Sequence, residues 1–212
     1  MRIDVFTDLV CPWCWLGKRR LDAALAARPG LAAQVHYWPF ELAPQMPEGG
    51  LPREEYLAAK LGGLEALREG QARLTGLGAA EGLAFRFDLA RVSPNTRAAH
   101  ALSRIAAEAD RQPEVQEALF AAFFAQGRDI GSLDTLAAIA GSAGLDAAAV
   151  RARLESHSDW PAVEALEREG AALGIRGVPF FVFERQTAVS GAQPAHALLE
   201  IIDRLSPAAA RA

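Results

Sequence analysis

Residues 2–25, RIDVFTDLVCPWCWLGKRRLDAAL, join a candidate strand to a candidate helix through the only two cysteines of the chain. Residues 2–6 alternate and carry β-branched and aromatic side chains, as a short strand does. From Leu16 to Leu25 the apolar residues recur at helical spacing, and Pro29-Gly30 ends that pattern. The sequence therefore places Cys11-Pro12-Trp13-Cys14 at a strand-to-helix junction.

The first turn of a helix stabilises an anion, because its backbone N–H groups are unpaired and the positive end of the helix dipole lies there. Cys11 falls at the N-cap position, and Pro12 suits the first helical position. We therefore expect Cys11 to be the exposed thiolate nucleophile and Cys14 to be the buried resolving thiol. One helical turn brings the second sulfur close enough to attack a mixed disulfide formed at the first.

Other uses of a Cys-x-x-Cys pair fit this sequence less well. Zinc needs two more ligands, but no cysteine remains and the four histidines show no paired spacing. A c-type haem site needs histidine after the second cysteine, where this chain has Trp15. A structural disulfide that closes so short a loop adds little stability. Because no apolar signal segment follows Met1, we expect a cytoplasmic protein, and structural disulfides are rare in that compartment. We predict redox chemistry and no metal.

The composition is that of an ordinary globular chain of 212 residues, with 51% hydrophobic and 23% charged residues. That length can bury a core and fits one domain with a large insertion. The net charge of −4 offers no basic surface for nucleic acid, and no apolar run approaches the ~20 residues of a membrane span. We therefore expect neither nucleic acid nor a membrane among the partners.

Past the first helix, the pattern changes twice. Residues 34–40 alternate and are aromatic, which predicts a second strand parallel to the first and completes a βαβ unit. Residues 43–52 are rich in proline and glycine and lead the chain out of the sheet. Periodicity and N-cap residues then predict seven helices and, between them, no strand with a pattern as strong as those of the sheet. The predicted helices cover residues 53–60, 64–80, 97–110, 113–126, 132–143, 146–157 and 160–173.

The C-terminal part returns to strands. Residues 178–183 and 187–190 predict a hairpin with a polar turn at 184–186, and residues 195–205 predict a closing helix. This order predicts an α/β protein with a thioredoxin fold, in which a large all-helical domain is inserted between the βαβ and ββα halves. We assign residues 1–43 and 175–212 to the thioredoxin-like domain and residues 44–174 to the insertion.

Five motifs occur in an order that resembles a known family. The motifs are residues 11–19 (CPWCWLGKR), residues 39–42 (PFEL), Asn95-Thr96 with His100, residues 177–182 (GVPFFV) and residues 190–194 (SGAQP). With these motifs the chain resembles, throughout its length, the DsbA-family oxidoreductases of the FrnE-like group, which are related to kappa-class glutathione transferases and 2-hydroxychromene-2-carboxylate isomerases.

The resemblance implies a binding site around the cysteine pair. It implies that Pro179 is cis and faces the dithiol, which leaves the backbone of Val178 to pair with a substrate strand or with glutathione. Ser190, Ala192 and Gln193 precede the last helix, whose N–H groups suit a carboxylate of glutathione, although Ser190 and Gln193 can instead simply form the turn and cap.

Further residues complete the expected substrate site. Pro12 and Trp13 lie between the cysteines, and an aromatic there implies a potential nearer about −200 to −230 mV than about −120 mV. Asn95 is expected either to contact glutathione or to cap its helix, and His100 to be an ordinary hydrogen-bonded histidine. Since Val5 occupies the position of thioredoxin's buried acid, Glu41 is the candidate proton acceptor, or else a solvated carboxylate.

Two functions from different classes follow. The favoured one is a thiol–disulfide oxidoreductase or isomerase that acts on protein or glutathione disulfides, with Cys11 and Cys14 as its redox group, no bound cofactor and glutathione as a co-substrate. The alternative is a glutathione-dependent isomerase or transferase of the kappa type, although those enzymes usually carry serine at the position of Cys11. A binding domain with a vestigial dithiol is the third option. The direction of electron flow and a homodimeric state stay open.

Overall fold

The structure is a computed structural model that describes residues 1–206. The strands are β1 (Arg2–Thr7), β2 (Gln34–Pro39), β3 (Leu51–Pro52), β4 (Val92–Ser93), β5 (Phe180–Phe183) and β6 (Thr187–Ser190). The helices are α1 (Pro12–Ala26), α2 (Arg53–Leu61), α3 (Leu64–Ala80), α4 (Arg97–Ala107), α5 (Gln112–Phe124), α6 (Leu133–Ser142), α7 (Ala147–Glu155), α8 (Trp160–Ala172) and α9 (Ala195–Leu205).

A four-stranded sheet in the order β2-β1-β5-β6 forms the centre of the fold. Strand β1 pairs in parallel with β2, with Ile3 opposite Val35, and antiparallel with β5, with Val5 opposite Phe181. Strands β5 and β6 form the predicted antiparallel hairpin. The helices α2 to α8 lie in sequence between β2 and β5, so the thioredoxin fold with a helical insertion is confirmed.

Helices α1 and α9 cover one face of this sheet. Alternate residues of β1 and β5 point to that face, and Ile3 and Phe181 are fully buried there with Leu21 of α1 and Leu198 of α9. On the opposite face α8 packs closely, since a Cβ added at Gly170 would lie 2.9 Å from the Phe6 ring. The sheet thus lies between helices, and the loop that follows β1 leads into the cysteine motif.

The larger core joins the cysteine motif to the inserted helices. Trp15 of α1 lies 5.9 Å from Phe124 and 6.4 Å from Phe120 of α5, ring centroid to ring centroid. It also meets the ring of Phe85 edge-on at 5.2 Å. These residues belong to one buried cluster that includes both cysteines. The inserted helices therefore pack directly behind the motif.

The helical insertion differs from the sequence prediction in one respect. All seven predicted helices are present, with ends that differ by no more than three residues. A short antiparallel ladder, β3 with β4, also occurs within this part of the chain, where no strand was predicted. Gly50, at a φ of +68°, lets the two segments approach closely, because a Cβ there would lie 2.5 Å from Val92. A two-residue ladder leaves no periodic signal.

Residues 207–212, which we assigned to the thioredoxin-like part, lie outside the described residues. Among the helices within residues 1–206, none combines the length and the apolar character needed to cross a membrane.

Candidate active site

The cysteine motif lies where β1 leads into α1, as predicted. Cys11 is the N-cap residue of α1 with extended backbone angles, and Pro12 follows at the first helical position. The Cys11 N–H donates to the Asp8 carbonyl at 3.0 Å, and the Cys14 N–H donates to the Cys11 carbonyl at 3.0 Å. The first turn contains no acidic residue. The helix N-terminus therefore favours a negative charge at Cys11.

Both cysteines are free thiols, and both are buried. The exposed fraction is 6% for Cys11 and 2% for Cys14. The prediction of an exposed Cys11 is therefore wrong. Val178 and Ala192, which come from the far end of the chain, pack against the cluster that contains Cys11 and reduce its contact with solvent.

The environment of Cys14 is that of a protonated, buried thiol. Burial raises the pKa of Cys14 well above its usual value, and the nearby Cys11 thiol raises it further. The Thr7 hydroxyl and the Asp8 main-chain N–H act in the opposite direction and lower that pKa. Burial outweighs them, so the thiol of Cys14 stays protonated.

The loop before β5 faces Cys11. The Val178–Pro179 peptide bond is cis, which confirms the geometry implied by the family resemblance. The Cys11 thiol lies 3.8 Å from the Val178 carbonyl oxygen. Within residues 1–206 the main chain of Val178 makes no hydrogen bond to another main-chain group. This backbone segment is therefore available to a partner beside the sulfur.

The turn before α9 lies next to the same loop. The Gly191 N–H donates to the Pro179 carbonyl at 2.8 Å, which holds Ser190 and Ala192 near Val178. The Gln193 side chain donates to the Ser190 carbonyl at 2.8 Å, and the Ala192 carbonyl accepts from Arg20 at 2.7 Å. The Gln193 amide is thus already used within the turn, as in the simpler of the two interpretations.

Two other predicted substrate residues differ in their surroundings. Trp13 is half-buried beside Cys11, and the guanidinium carbon of Arg73 in α3 lies 5.8 Å from its ring centroid. Asn95 accepts from the Arg97 N–H at 2.9 Å and donates to the Met46 carbonyl at 2.7 Å. The Asn95 contacts are those of a residue that shapes the start of α4.

A buried pair that the sequence did not predict lies behind the motif. Asp8 and His100 are 0% and 3% exposed, and Asp8 Oδ1 lies 3.5 Å from His100 Nε2. Neither of these two atoms has a hydrogen bond to a described residue. Asp8 Oδ2 accepts the Leu42 N–H at 2.7 Å. The sequence does show that Asp8 lies three residues before Cys11, and this spacing could have marked Asp8 as a site residue. Its partner His100 lies on α4, far along the chain, so the sequence did not pair the two.

Glu41 also lies in this buried region. Its side chain is 1% exposed and pairs with Arg97 at 2.8 Å. The Glu41 N–H donates to the Glu167 side chain at 2.8 Å. Burial raises the pKa of Glu167, and the negative charge of Glu41 raises it further. The region behind the motif thus holds several carboxylates close to one another.

Glu117 of α5 ties the insertion to α1. It accepts from the Trp15 indole at 3.1 Å and from Arg19 at 3.1 Å. Its second oxygen lies 3.1 Å from the ammonium group of Lys18, which is only 6% exposed. One carboxylate therefore compensates two cations that follow the cysteine motif.

The arrangement suits thiol–disulfide exchange. It combines a thiol at a helix N-terminus, a second thiol one turn behind it and, alongside, Val178, whose main chain makes no hydrogen bond to another main-chain group among the described residues. Within residues 1–206, no group of three or more His, Cys, Asp or Glu side chains is placed to hold a metal ion.

Comparison with known proteins gives a consistent family. The model of the DSBA-like thioredoxin domain matches residues 2–203. A probable DsbA oxidoreductase from Streptomyces coelicolor is 37% identical, with a TM-score of 0.88 over 96% of this chain and 89% of its own.

More distant structures share the fold. A 2-hydroxychromene-2-carboxylate isomerase is 17% identical, with a TM-score of 0.76 over 100% of this chain and 98% of its own. The cytosolic disulfide reductase DsbM from Pseudomonas aeruginosa, solved with GSH, is 19% identical, with a TM-score of 0.67 over 97% of this chain and 99% of its own. Because the family model spans nearly all of the described residues and the cysteine pair lies at the N-terminus of α1, the chain belongs to the DsbA-like thioredoxin family.

Proposed function

We propose that the protein is a thiol–disulfide oxidoreductase whose redox group is the Cys11–Cys14 pair. The observation that carries the proposal is the position of the Cys11 sulfur at the N-terminus of α1, 3.8 Å from the Val178 carbonyl. An anion is favoured at the helix N-terminus, and an extended partner can pair with the adjacent main chain. Cys14, buried one turn behind, has the place of a resolving thiol.

In the reducing direction, the Cys11 thiolate attacks one sulfur of a partner disulfide. A bond forms between Cys11 and that sulfur, the partner's S–S bond breaks, and the other sulfur leaves as a thiolate that takes up a proton. Cys14 then loses its proton and attacks Cys11, which releases the second partner thiolate and forms the Cys11–Cys14 disulfide. Two electrons pass from the dithiol to the partner, and the reverse sequence oxidises a partner dithiol.

Protein disulfides and glutathione disulfides are the proposed substrates, with glutathione as a co-substrate and no bound cofactor. Val178 and Pro179 would contact the partner strand, while Pro12, Trp13 and the turn from Ser190 to Gln193 would line its path. The likeness to DsbM, a cytosolic reductase solved with GSH, supports glutathione as a partner and the cytoplasm as the compartment. The cytosolic glutathione pool, at about −220 to −320 mV, would return a mild pair to the dithiol state.

A glutathione-dependent isomerase or transferase is the second candidate. It is supported by the likeness in fold to 2-hydroxychromene-2-carboxylate isomerase over the whole chain. In that case bound glutathione would supply the reactive thiol, and Cys14 would not be needed. The requirement for Cys14 therefore distinguishes the two candidates.

The test replaces each cysteine in turn. We expect Cys11→Ser to abolish reduction of glutathione disulfide, because no nucleophile then reaches the partner. We expect Cys14→Ser to react once and stop, so that intact-protein mass spectrometry shows a stable glutathione adduct on Cys11. Equal reduction of glutathione disulfide by Cys11→Ser and by the unmodified protein would contradict the oxidoreductase assignment. Loss of the glutathione adduct from Cys14→Ser as fast as from the unmodified protein would show that Cys14 is not the resolving thiol, as the second candidate expects.

A further inference from the structure

Helix α3 of the insertion brings an arginine over the residue between the two cysteines. The Arg73 guanidinium carbon lies 5.8 Å from the centre of the Trp13 ring, within the range of a cation–π contact. Leu77, one turn further along α3, packs against the buried cluster that Trp13 also borders. Because residues four apart share one side of a helix, Arg73 lies on the side of α3 that packs against this cluster.

The charge of Arg73 is not compensated within residues 1–206. The side chain is exposed, and it forms neither an ion pair nor a hydrogen bond with a described residue. The basic residues of α1 differ, because Lys18 and Arg19 pair with Glu117, and Arg20 pairs with Glu81 at 2.8 Å. Arg73 is therefore an unpaired cation beside Trp13.

The carboxylates nearest to Cys11 lie behind the motif, where Asp8 and Glu41 are buried and Glu41 pairs with Arg97. The first turn of α1 has no acidic residue, and its N-terminus adds a partial positive charge. On the far side of Cys11, Val178 and Ala192 are apolar. The N-terminus of α1 and Arg73 therefore both favour a negative group on a disulfide that approaches Cys11.

We propose that Arg73 selects disulfides that carry a carboxylate near the scissile S–S bond over neutral disulfides. This inference rests on the proposed function, since it concerns the substrates of the same cysteine pair. A carboxylate on the partner would gain a Coulombic attraction to Arg73 as the partner's sulfur approaches Cys11. Glutathione disulfide, with carboxylates on both halves, is a probe of this class. Bis(2-hydroxyethyl) disulfide is a neutral probe of the same reaction.

The experiment measures the first step alone. Prereduced protein is mixed with each probe, and the second-order rate constant for loss of thiols is recorded for the unmodified protein, Arg73→Gln and Arg73→Glu. Arg68→Gln is the matched control, because Arg68 lies on the same helix, is exposed and makes no aromatic contact. An exposed cation–π contact contributes little to stability, so all three variants should fold.

We expect Arg73→Gln to slow reduction of glutathione disulfide by about three- to fivefold, the upper range of an exposed charge interaction. Arg73→Glu should slow it further, while the neutral probe stays within about twofold and Arg68→Gln matches the unmodified protein. The difference should shrink at about 1 M salt, where the Debye length is about 3 Å. Equal slowing of both probes, or no slowing of either, would overturn the assignment. Failure of the unmodified protein to reduce either probe would instead count against the proposed function.

Discussion

Cys11 and Cys14 belong to the same helical turn but have different neighbours. Cys11 caps α1 and lies beside the Val178 carbonyl. Cys14 is enclosed by the core, and the pKa of its thiol is raised chiefly by burial. Thiolate character decides which sulfur attacks first, because the thiolate is the nucleophile. This difference in surroundings supports the proposed attacking role of Cys11 and the proposed resolving role of Cys14.

This assignment predicts the pH dependence of Cys14 alkylation. In Cys11→Ser, the rate of reaction with iodoacetamide should still be rising at pH 9.0, the ordinary thiol pKa, because burial keeps the pKa of Cys14 above that value. The rate is followed by mass spectrometry, with the same reaction in urea as the control. A plateau below pH 8 in the folded variant, about one unit under the ordinary value, would contradict the buried role of Cys14.

The carboxyl of Glu167 predicts a pH effect on stability. Its pKa is raised above the ordinary 4.5 in the folded state, so the folded protein binds a proton more tightly there than the unfolded chain does. The contribution of this proton to the free energy of unfolding is complete below pH 4.5, and it is lost as the pH rises through the pKa of Glu167 in the folded state. Glu167→Gln should therefore be at least as stable as the unmodified protein at pH 7.5 and show a flatter pH profile in urea unfolding. A steeper profile would contradict this account.

At the level of elements, the packing of α1 against β5 sets the position of Pro179. A Cβ added at Gly17 would lie 3.0 Å from the Pro179 ring and 3.1 Å from the Phe181 ring. Phe181 is fully buried and Pro179 is enclosed, so neither can easily move aside. The small residue three positions after Cys14 therefore lets the loop with the cis peptide bond lie close to the cysteine helix.

Gly17→Ala should consequently destabilise the protein by about 1–2 kcal/mol through overpacking, although alanine favours helices. It should also slow disulfide reduction, because the Val178 segment moves relative to Cys11. Gly76→Ala in α3 is the control, since a Cβ there meets no atom within 4 Å and should be neutral or stabilising by up to about 1 kcal/mol. Urea unfolding measures both, and equal effects of the two substitutions would show that Gly17 has no packing role.

For the whole molecule, the insertion and the sheet are held together at the cysteine helix. The core behind Trp15 is built largely from α5, and Glu117 of the same helix compensates Lys18 and Arg19. The helical insertion also supplies Arg73 over Trp13 and His100 beside Asp8. The fold therefore places residues of the insertion on two sides of a motif that belongs to the thioredoxin-like part.

Loss of the Glu117 carboxylate should weaken this connection. Glu117→Ala leaves the buried Lys18 with Asp22 alone and removes the acceptor of the Trp15 indole. Because the carboxylate is itself 33% exposed, we expect a modest loss of about 1–2 kcal/mol in urea unfolding. Glu114→Ala, an exposed position on the same helix, is the control and should change stability by less than about 0.5 kcal/mol. A Glu117 effect as small as that of Glu114 would contradict the connecting role.

How well the sequence predicts a feature depends on how far apart along the chain the interacting residues lie. Periodicity and turn residues act locally, so the ends of the helices and of the β5–β6 hairpin strands were predicted to within three residues. The cis geometry of Pro179 came only from the family resemblance, because sequence alone favours trans. The burial of Cys11 and the Asp8–His100 pair depend on how distant segments dock, and no local pattern carries that information.

The reduction potential of the Cys11–Cys14 pair tests the central claim most directly. The protein is equilibrated in glutathione buffers of graded ratio, quenched in acid, and its free thiols are counted by mass after alkylation. We predict a reversible two-electron transition at about −200 to −230 mV, the range of glutaredoxin-like pairs. Thiols that stay reduced at every ratio, in a protein that still binds glutathione, would contradict redox turnover of the pair.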